Sequence, residues 1–209
     1  MKKYTTDQEA FWAGEFGNEY IGRNYSDDEL RIAGRIALYS KMLARTVGVK
    51  SVLEFGANIG ANVRVIKQLI PKVKMSVIEI NEKAAAHLRT MGLEKVYNMS
   101  ALEFKPARKW DIVITSGLLI HINPDALPRL YKNLYESSGR YVFICEYYNP
   151  TPVAIEYRGH KDRLFKRDFA GDMLDKYSDL RLIDYGFSYH RDPVFPVGDA
   201  TWFLLEKTI

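Results

Sequence analysis

Cysteine is almost missing from this chain. Of 209 residues only Cys145 carries a thiol, inside the apolar run V-F-I-C-E. That excludes an internal disulfide and a cysteine-cluster metal site, and it makes a reducing compartment the expectation. Histidine is nearly as scarce: the four present show no H-x-x-x-H spacing, so no metal-ligand set is expected. No apolar run reaches the length of a bilayer span, and the opening M-K-K-Y-T-T-D-Q-E-A has no apolar segment of the secretory kind. A cytoplasmic protein without a membrane partner is therefore expected. Internal repeats and low-complexity tracts are lacking too. What is there is ordinary for a globular chain, 47% hydrophobic and 27% charged residues, in a length that suits one domain with a few attachments.

The net charge of +4 and isoelectric point near 9.0 would suit a nucleic acid, an acidic surface or an anionic small molecule. Most basic residues are interleaved with acids, and no stripe alternates aromatic and basic residues, which argues against nucleic acid. One window stands apart: Arg158, His160, Lys161, Arg163, Lys166 and Arg167, diluted only by Asp162.

The chain is organised around Ser51 to Gly60, S-V-L-E-F-G-A-N-I-G, and the run V-I-E-I at Val77 to Ile80. An apolar run that breaks into a glycine-bearing turn and then a helical pattern is a strand–loop–helix unit, and a second strand ending in an acid completes a nucleotide-sized crevice. Gly56 and Gly60 would let the backbone take positive φ or approach a ligand, which a Cβ hinders. Glu54 could pair with a cationic amine or accept from polar backbone. Glu79 is placed to accept from two ribose hydroxyls, so the crevice is expected to hold an adenosyl cofactor. A dinucleotide fingerprint starting at Gly56 would need glycine where Asn58 stands and leaves Glu54 unexplained. Both departures weigh against a nicotinamide-dependent oxidoreductase, the first competing reading. The second is a non-catalytic nucleotide- or nucleic-acid-binding protein.

Along the chain, Gln8 to Asn24 carries aromatics and glycines too closely mixed for one long helix. An N-terminal flap over residues 1–25 is expected, in which Phe11, Trp12 and Phe16 either bury on the body or cover a cofactor or substrate. Ser26 to Glu29 reads as a capping box opening a helix with Ile32, Ile36, Tyr39, Leu43 and Val47 on one face, ended by Gly48. Residues 26–209 form the expected main domain. Helices are expected from Gly60 to Pro71, from Asn81 to Leu88, after Asn123-Pro124 up to Gly139, and over Phe169 to Tyr177. Strands are expected at Lys74–Ile80, Lys95–Met99, Asp111–Thr115 and Arg140–Tyr147, then at Leu180–His190 and Thr201–Lys207. With no helix between them, the last two should be antiparallel. A long connection at about 149–168 holds the basic window.

The acid-x-Gly pattern of Glu54 and Gly56, with Gly60 beyond, resembles motif I of class I S-adenosylmethionine-dependent methyltransferases, from which Asn58 departs. Three further pieces, F-W-A-G-E-F-G-N-E-Y-I-G-R-N, T-S-G-L-L-I-H-I-N-P and E-Y-Y-N-P-T-P-V-x-I-x-Y-R-G-H with L-F-K-R-D-F-A-G beyond it, resemble the bacterial pseudaminic acid biosynthesis-associated methylases over nearly the whole chain. The resemblance implies a Rossmann-like α/β fold: a seven-stranded, mostly parallel sheet with an antiparallel C-terminal strand and helices on both faces. It implies S-adenosyl-L-methionine as cofactor, S-adenosyl-L-homocysteine as product, and an acceptor among nonulosonic acid sugars or their amino-sugar and nucleotide-sugar precursors. It also implies cofactor contacts at Glu54, Gly56, Ala57, Asn58, Gly60, Glu79, Ile80, Ser100, Ala101, Ser116 and Gly117, with Ser100 where an acid often meets adenine.

Methyl transfer to a hydroxyl calls for a general base, whereas an amine deprotonated before binding would not need one. Three residues could serve. His121 follows the fourth strand and could instead brace the loop. Glu146 lies late in the fifth strand and could instead pair with an arginine. His160 sits on the long connection and could instead be an exposed loop residue. The expectation is Glu146 or His160 acting on the acceptor, with His121 orienting. Arg158 and Arg163 could clamp a carboxylate or phosphate, and Tyr147, Tyr148 and Tyr157 could wall a sugar ring or simply be interior.

Overall fold

Five parallel strands form the heart of one sheet: β1 (Ser51–Phe55), β2 (Lys74–Glu79), β3 (Lys95–Asn98), β4 (Trp110–Ser116) and β5 (Ser138–Glu146). In the computed structural model, which describes residues 4–24 and 29–208, two later strands extend it. With β8 (Leu180–Ser188) and β9 (Ala200–Lys207) the order is β3-β2-β1-β4-β5-β9-β8, and β9 runs antiparallel to both neighbours. The seven-stranded α/β sheet with its antiparallel closing strand is the one expected.

Period-two alternation places Val52 on one face, with Tyr39, Met42 and Ile66, and Leu53 and Phe55 on the other, with Leu130, Leu134 and Met173. The first face is covered by helices α3 (Glu29–Leu43) and α4 (Ala61–Leu69), the second by α6 (Leu127–Ser137) and α7 (Phe169–Lys176). Helix α5 (Glu82–Arg89) starts at Asn81, whose side chain accepts from the Ala84 amide. Because β2 and β4 flank β1 on opposite sides, the chain leaves β1 and β4 in diverging directions, and a crevice opens at their carboxyl ends.

As expected, the N-terminal segment is not one long helix: it is two short ones, α1 (Asp7–Ala13) and α2 (Glu15–Asn24), divided at Gly14. Three local expectations are corrected. The region 149–168 is no simple loop: β6 (Val153–Tyr157) and β7 (His160–Lys166) form an antiparallel hairpin that is a sheet of its own. Helix α3 ends at Leu43 and buries Gly34, Leu38, Tyr39 and Met42, so Val47 is exposed in the following turn. Gly139 lies inside β5 rather than ending the preceding helix. Of the proposed capping box, Ser26 to Asp28 lie outside the described residues; a capping box that does form joins Thr6 and Glu9.

Candidate active site

The crevice encloses a cavity of about 300 Å³, at the lower end of small-molecule sites. Its floor is the β1–α4 turn. Gly56 has φ 74° and Asn58 φ 47°, so an asparagine occupies the left-handed conformation where the dinucleotide fingerprint would have glycine. Asn tolerates that region through its short polar side chain. A Cβ on Gly56 would come within 3.0 Å of Leu118, so glycine there serves both the turn and the packing above it. Gly60, at φ 77°, does not line the cavity; a Cβ there would meet the Met91 sulfur at 2.6 Å. Its role is helix packing rather than the ligand approach expected.

Glu79 ends β2 with its carboxylate fixed by two backbone amides. Oε2 accepts from the Asn58 amide at 2.7 Å and Oε1 from the Asn81 amide at 2.7 Å. Each oxygen keeps a further lone pair, and the residue lines the cavity. Burial pushes the carboxyl up, against the lowering by the amides of Asn81, Asn58 and Ile80. A carboxylate held this way is a preorganised acceptor for a vicinal diol.

Glu54, beneath the turn, is buried. Its Oε1 accepts from the Asn62 amide nitrogen at 2.7 Å, while Oε2 has no hydrogen-bond partner. Burial raises its pKa to about 7, with Asn62 and the charge of Arg35 acting the other way. Arg35 and Asn62 line the cavity although Glu54 itself does not. The Arg35 guanidinium on the cavity wall fits the carboxylate of an amino acid group and Glu79 fits a ribose, so the residues present suit an S-adenosylmethionine-like molecule.

Ser116, Gly117, His121, Glu146 and Tyr147 line the same cavity. Among the described residues Glu146 pairs with no arginine. Its Oε1 accepts from the Leu118 and Leu119 amides at 3.0 Å each and Oε2 from the Ile120 amide at 3.4 Å. Burial raises its pKa to about 7, against the pull of those amides. The carboxylate thereby pins the short 3₁₀ turn Leu119–His121. His121 Nδ1 lies 2.6 Å from the Arg163 carbonyl oxygen. A carbonyl only accepts, so Nδ1 carries the proton and Nε2 is the unprotonated nitrogen. Burial lowers the imidazole pKa to about 4, which keeps the ring neutral at ordinary pH.

The cavity is roofed by α1 and α2 through Gln8, Glu9, Trp12, Gly17 and Tyr20. Trp12 sits over His121 with ring centroids 4.5 Å apart, and Tyr157 meets His121 at 5.0 Å. Gln8 donates to the Asp162 carbonyl at 3.0 Å, and the Asn81 amide donates to the Trp12 carbonyl at 3.3 Å. The roof is thus joined to both the hairpin and the crevice edge.

Of the residues expected from sequence, Gly56, Ala57, Asn58, Glu79, Ile80, Ser100, Ala101, Ser116, Gly117, His121, Glu146 and Tyr147 share one cavity. His160 does not line it; its exposed ring packs on Phe11 and Phe16 at 4.9 and 5.4 Å. Arg163 does not line it either; its half-buried side chain lays the guanidinium 5.1 Å from the Phe11 ring centre. The proposed Arg158–Arg163 clamp is therefore split, because the two side chains belong to different parts of the hairpin. Arg158 stays near the cavity mouth, 5.6 Å over the Tyr157 ring and within the electrostatic reach of Tyr20 and Tyr147, both of which line the cavity. Sequence reasoning missed Glu9, Arg35 and Asn62. Thr6-x-x-Glu9 was a legible capping signal, but nothing local marks Arg35 as facing inward.

No family model matches the chain, and no curated protein matches it. Solved structures do. The chain is similar to 1,6-didemethyltoxoflavin-N1-methyltransferase of Burkholderia thailandensis, solved with 1,6-didemethyltoxoflavin and S-adenosylhomocysteine, at TM-score 0.71 and 14% identity over 100% of this chain and 93% of that one. The fold is that of the class I methyltransferases. Magnesium protoporphyrin IX methyltransferase of Synechocystis PCC 6803, with bound SAM, aligns at TM-score 0.66 and 12% identity over 99% of this chain and 100% of that one. The plantazolicin methyltransferase BpumL, in complex with SAH, aligns at 0.66 and 12% over 97% and 94%. The methyltransferase fold is shared along the whole length of three proteins named for unlike acceptors, so the acceptor cannot be read from the fold.

Proposed function

We propose that the protein is an S-adenosylmethionine-dependent methyltransferase whose acceptor is a small anionic molecule, a nonulosonic acid sugar, an amino sugar or a nucleotide-sugar precursor used in surface-glycan biosynthesis. The observation that carries this reading is the Glu79 carboxylate, held by two amides on the wall of a roofed cavity that Arg35 also lines. The bound donor supplies an electrophilic methyl group on a sulfonium centre. Everything else falls to the chain. Glu79 would orient the ribose and Arg35 would face the donor carboxylate, while Glu54 would hold Asn62 in place on the cavity wall. The aromatic faces of Trp12 and Tyr147 border a space that α1 and α2 shield from water, which favours in-line transfer by positioning.

His121 is the general base, its Nε2 receiving the acceptor proton while the Arg163 carbonyl fixes the tautomer. Glu146 positions rather than reacts, because its oxygens hold the turn that carries His121. The acceptor's anionic group meets Arg158. Arg158 and Gly159 form the two-residue turn between paired Tyr157 and His160, with φ 52° and 81°. Such turns favour Asn or Gly first, and an arginine there costs roughly 1 kcal/mol; the strain supports a functional placement of the guanidinium.

Helices α1 and α2 act as a cofactor-covering segment, and the hairpin within 149–168 covers the acceptor. The reading is tested by incubating the protein with labelled methyl donor and a panel of nonulosonic acids and amino-sugar nucleotides, followed by mass. One acceptor gaining a methyl group, with turnover lost in Glu79→Ala, is expected. Failure to bind S-adenosylhomocysteine by calorimetry would overturn it.

A further inference from the structure

Glu9 has a place in the cavity that its helix cap does not explain. A capping-box acid needs only to reach back to its own N-terminal amides, and Glu9 does so: Oε2 accepts from the Thr6 amide at 2.8 Å, the Thr5 amide at 3.0 Å, the Thr5 hydroxyl at 2.6 Å and the Thr6 hydroxyl at 3.0 Å. Yet the residue is only 5% exposed and lines the same cavity as Ser100. All four of these bonds fall on Oε2; the Ser100 hydroxyl also bonds the carboxylate, and because each carboxylate oxygen has two lone pairs, Oε1 keeps room for a further donor. Burial pushes Glu9 up, but Ser100, Thr5 and Thr6 together bring it below the ordinary carboxylate range. It is therefore a pure acceptor at neutral pH.

The sheet order says what it would accept from. A ribose on Glu79 lies at the end of β2, and the cavity continues from there to the end of β3, where Ser100 and Ala101 line it. That end must receive the nucleobase. Ser100, the residue expected at this position, is a weaker acceptor than a carboxylate, because its Oγ already accepts from the Leu102 amide at 3.1 Å. A carboxylate arrives from the roof instead.

We propose that Glu9 reads the exocyclic amine of a 6-aminopurine through Oε1, so that base recognition and closure of the N-terminal helices over the cavity are one event. The proposal rests on the donor being an adenosyl compound. It makes a chemical prediction about S-inosylhomocysteine, in which the amine donor is replaced by a carbonyl acceptor facing the same carboxylate. Calorimetric titration of the wild type should show S-adenosylhomocysteine binding at least ~30-fold tighter, as expected for a lost hydrogen bond to a charged group. In Glu9→Gln the amide oxygen can keep the cap, which turns the NH₂ towards the base. That group repels an amine and donates to a carbonyl, so the preference should fall below about 3-fold or invert; because it is a ratio of two affinities in one variant, it is unaffected by the modest loss of stability expected when the ionised cap is neutralised. A wild type that does not discriminate, or a Glu9→Gln variant that keeps the wild-type ratio, overturns the proposal. A wild type that binds neither compound overturns the adenosyl reading itself. The wild-type ratio needs no variant and stands even if Glu9→Gln folds poorly.

Discussion

Floor and roof of the cavity are built on opposite plans. The floor, from β1, β2 and their turns, holds its polar groups by short-range backbone bonds: Glu79 is fixed by amides of residues 58 and 81. The roof, from α1, α2 and the β6–β7 hairpin, is held by contacts between distant parts of the chain, such as Gln8 to Asp162 and Trp12 to His121. A floor of this kind is preorganised before any ligand arrives, whereas the roof's geometry depends on two separate segments meeting. Donor binding should therefore be set by the floor, and turnover and acceptor choice by the roof and the turn beneath it.

The largest expected break is at His121. His121→Ala should lower kcat by about 10²–10⁴-fold while leaving S-adenosylhomocysteine affinity within about twofold, which separates a base from a mere wall. In the wild type the acid limb of the kcat profile should fall near pH 4 rather than 6.5, because burial depresses the imidazole. By linkage, the stability this neutral histidine contributes is complete above pH 6.5 and is lost as pH falls through about 4.

Next is the floor. Glu79→Ala should weaken S-adenosylhomocysteine by roughly 100-fold in calorimetry, from the loss of two charge-assisted hydrogen bonds. Unchanged affinity would mean that the floor is not where the donor sits. Glu146→Gln sharpens the contrast differently. Its folded pKa is raised from 4.5 to about 7, so the wild type has that contribution below 4.5 and loses it as pH rises through about 7. Thermal melts should therefore shift in the variant's favour over that interval, and activity should persist at reduced level; complete loss of turnover with intact folding would return Glu146 to the role of base. The smallest effect belongs to the hairpin turn. Arg158→Gly should raise stability by about 0.5–1 kcal/mol by relieving the left-handed strain while raising KM for the anionic acceptor about tenfold.

The same division decides what could be read from sequence. The floor is local: an apolar run, a turn glycine, a helical period and a second strand ending in Glu79 lie within thirty residues, and period-two and period-3.6 signals carry them. Asn58 was readable too, because its backbone need and its residue type agree. The roof has no such signature. The β6–β7 strands pair only with each other, so no buried stripe marks Val153 to Tyr157, and the charges that looked like one basic window disperse. Arg163 lies on Phe11, Lys166 lies over Tyr147, and Arg167 pairs with Asp172. His160 faces Phe11 because a helix more than a hundred residues earlier packs there, and no local pattern encodes that meeting. Glu146 looked reactive because an acid in an apolar run is unusual; its amide partners come from the segment that follows the neighbouring strand β4, 26 to 28 residues earlier in the chain.

Asn58 also bears on how related chains would be sought. A search string written in letters, demanding glycine two places after Gly56, passes over this protein at its defining turn. One written in dihedral angles, asking only for a residue able to sit at φ near 47° with its amide on a strand-end carboxylate, would accept it.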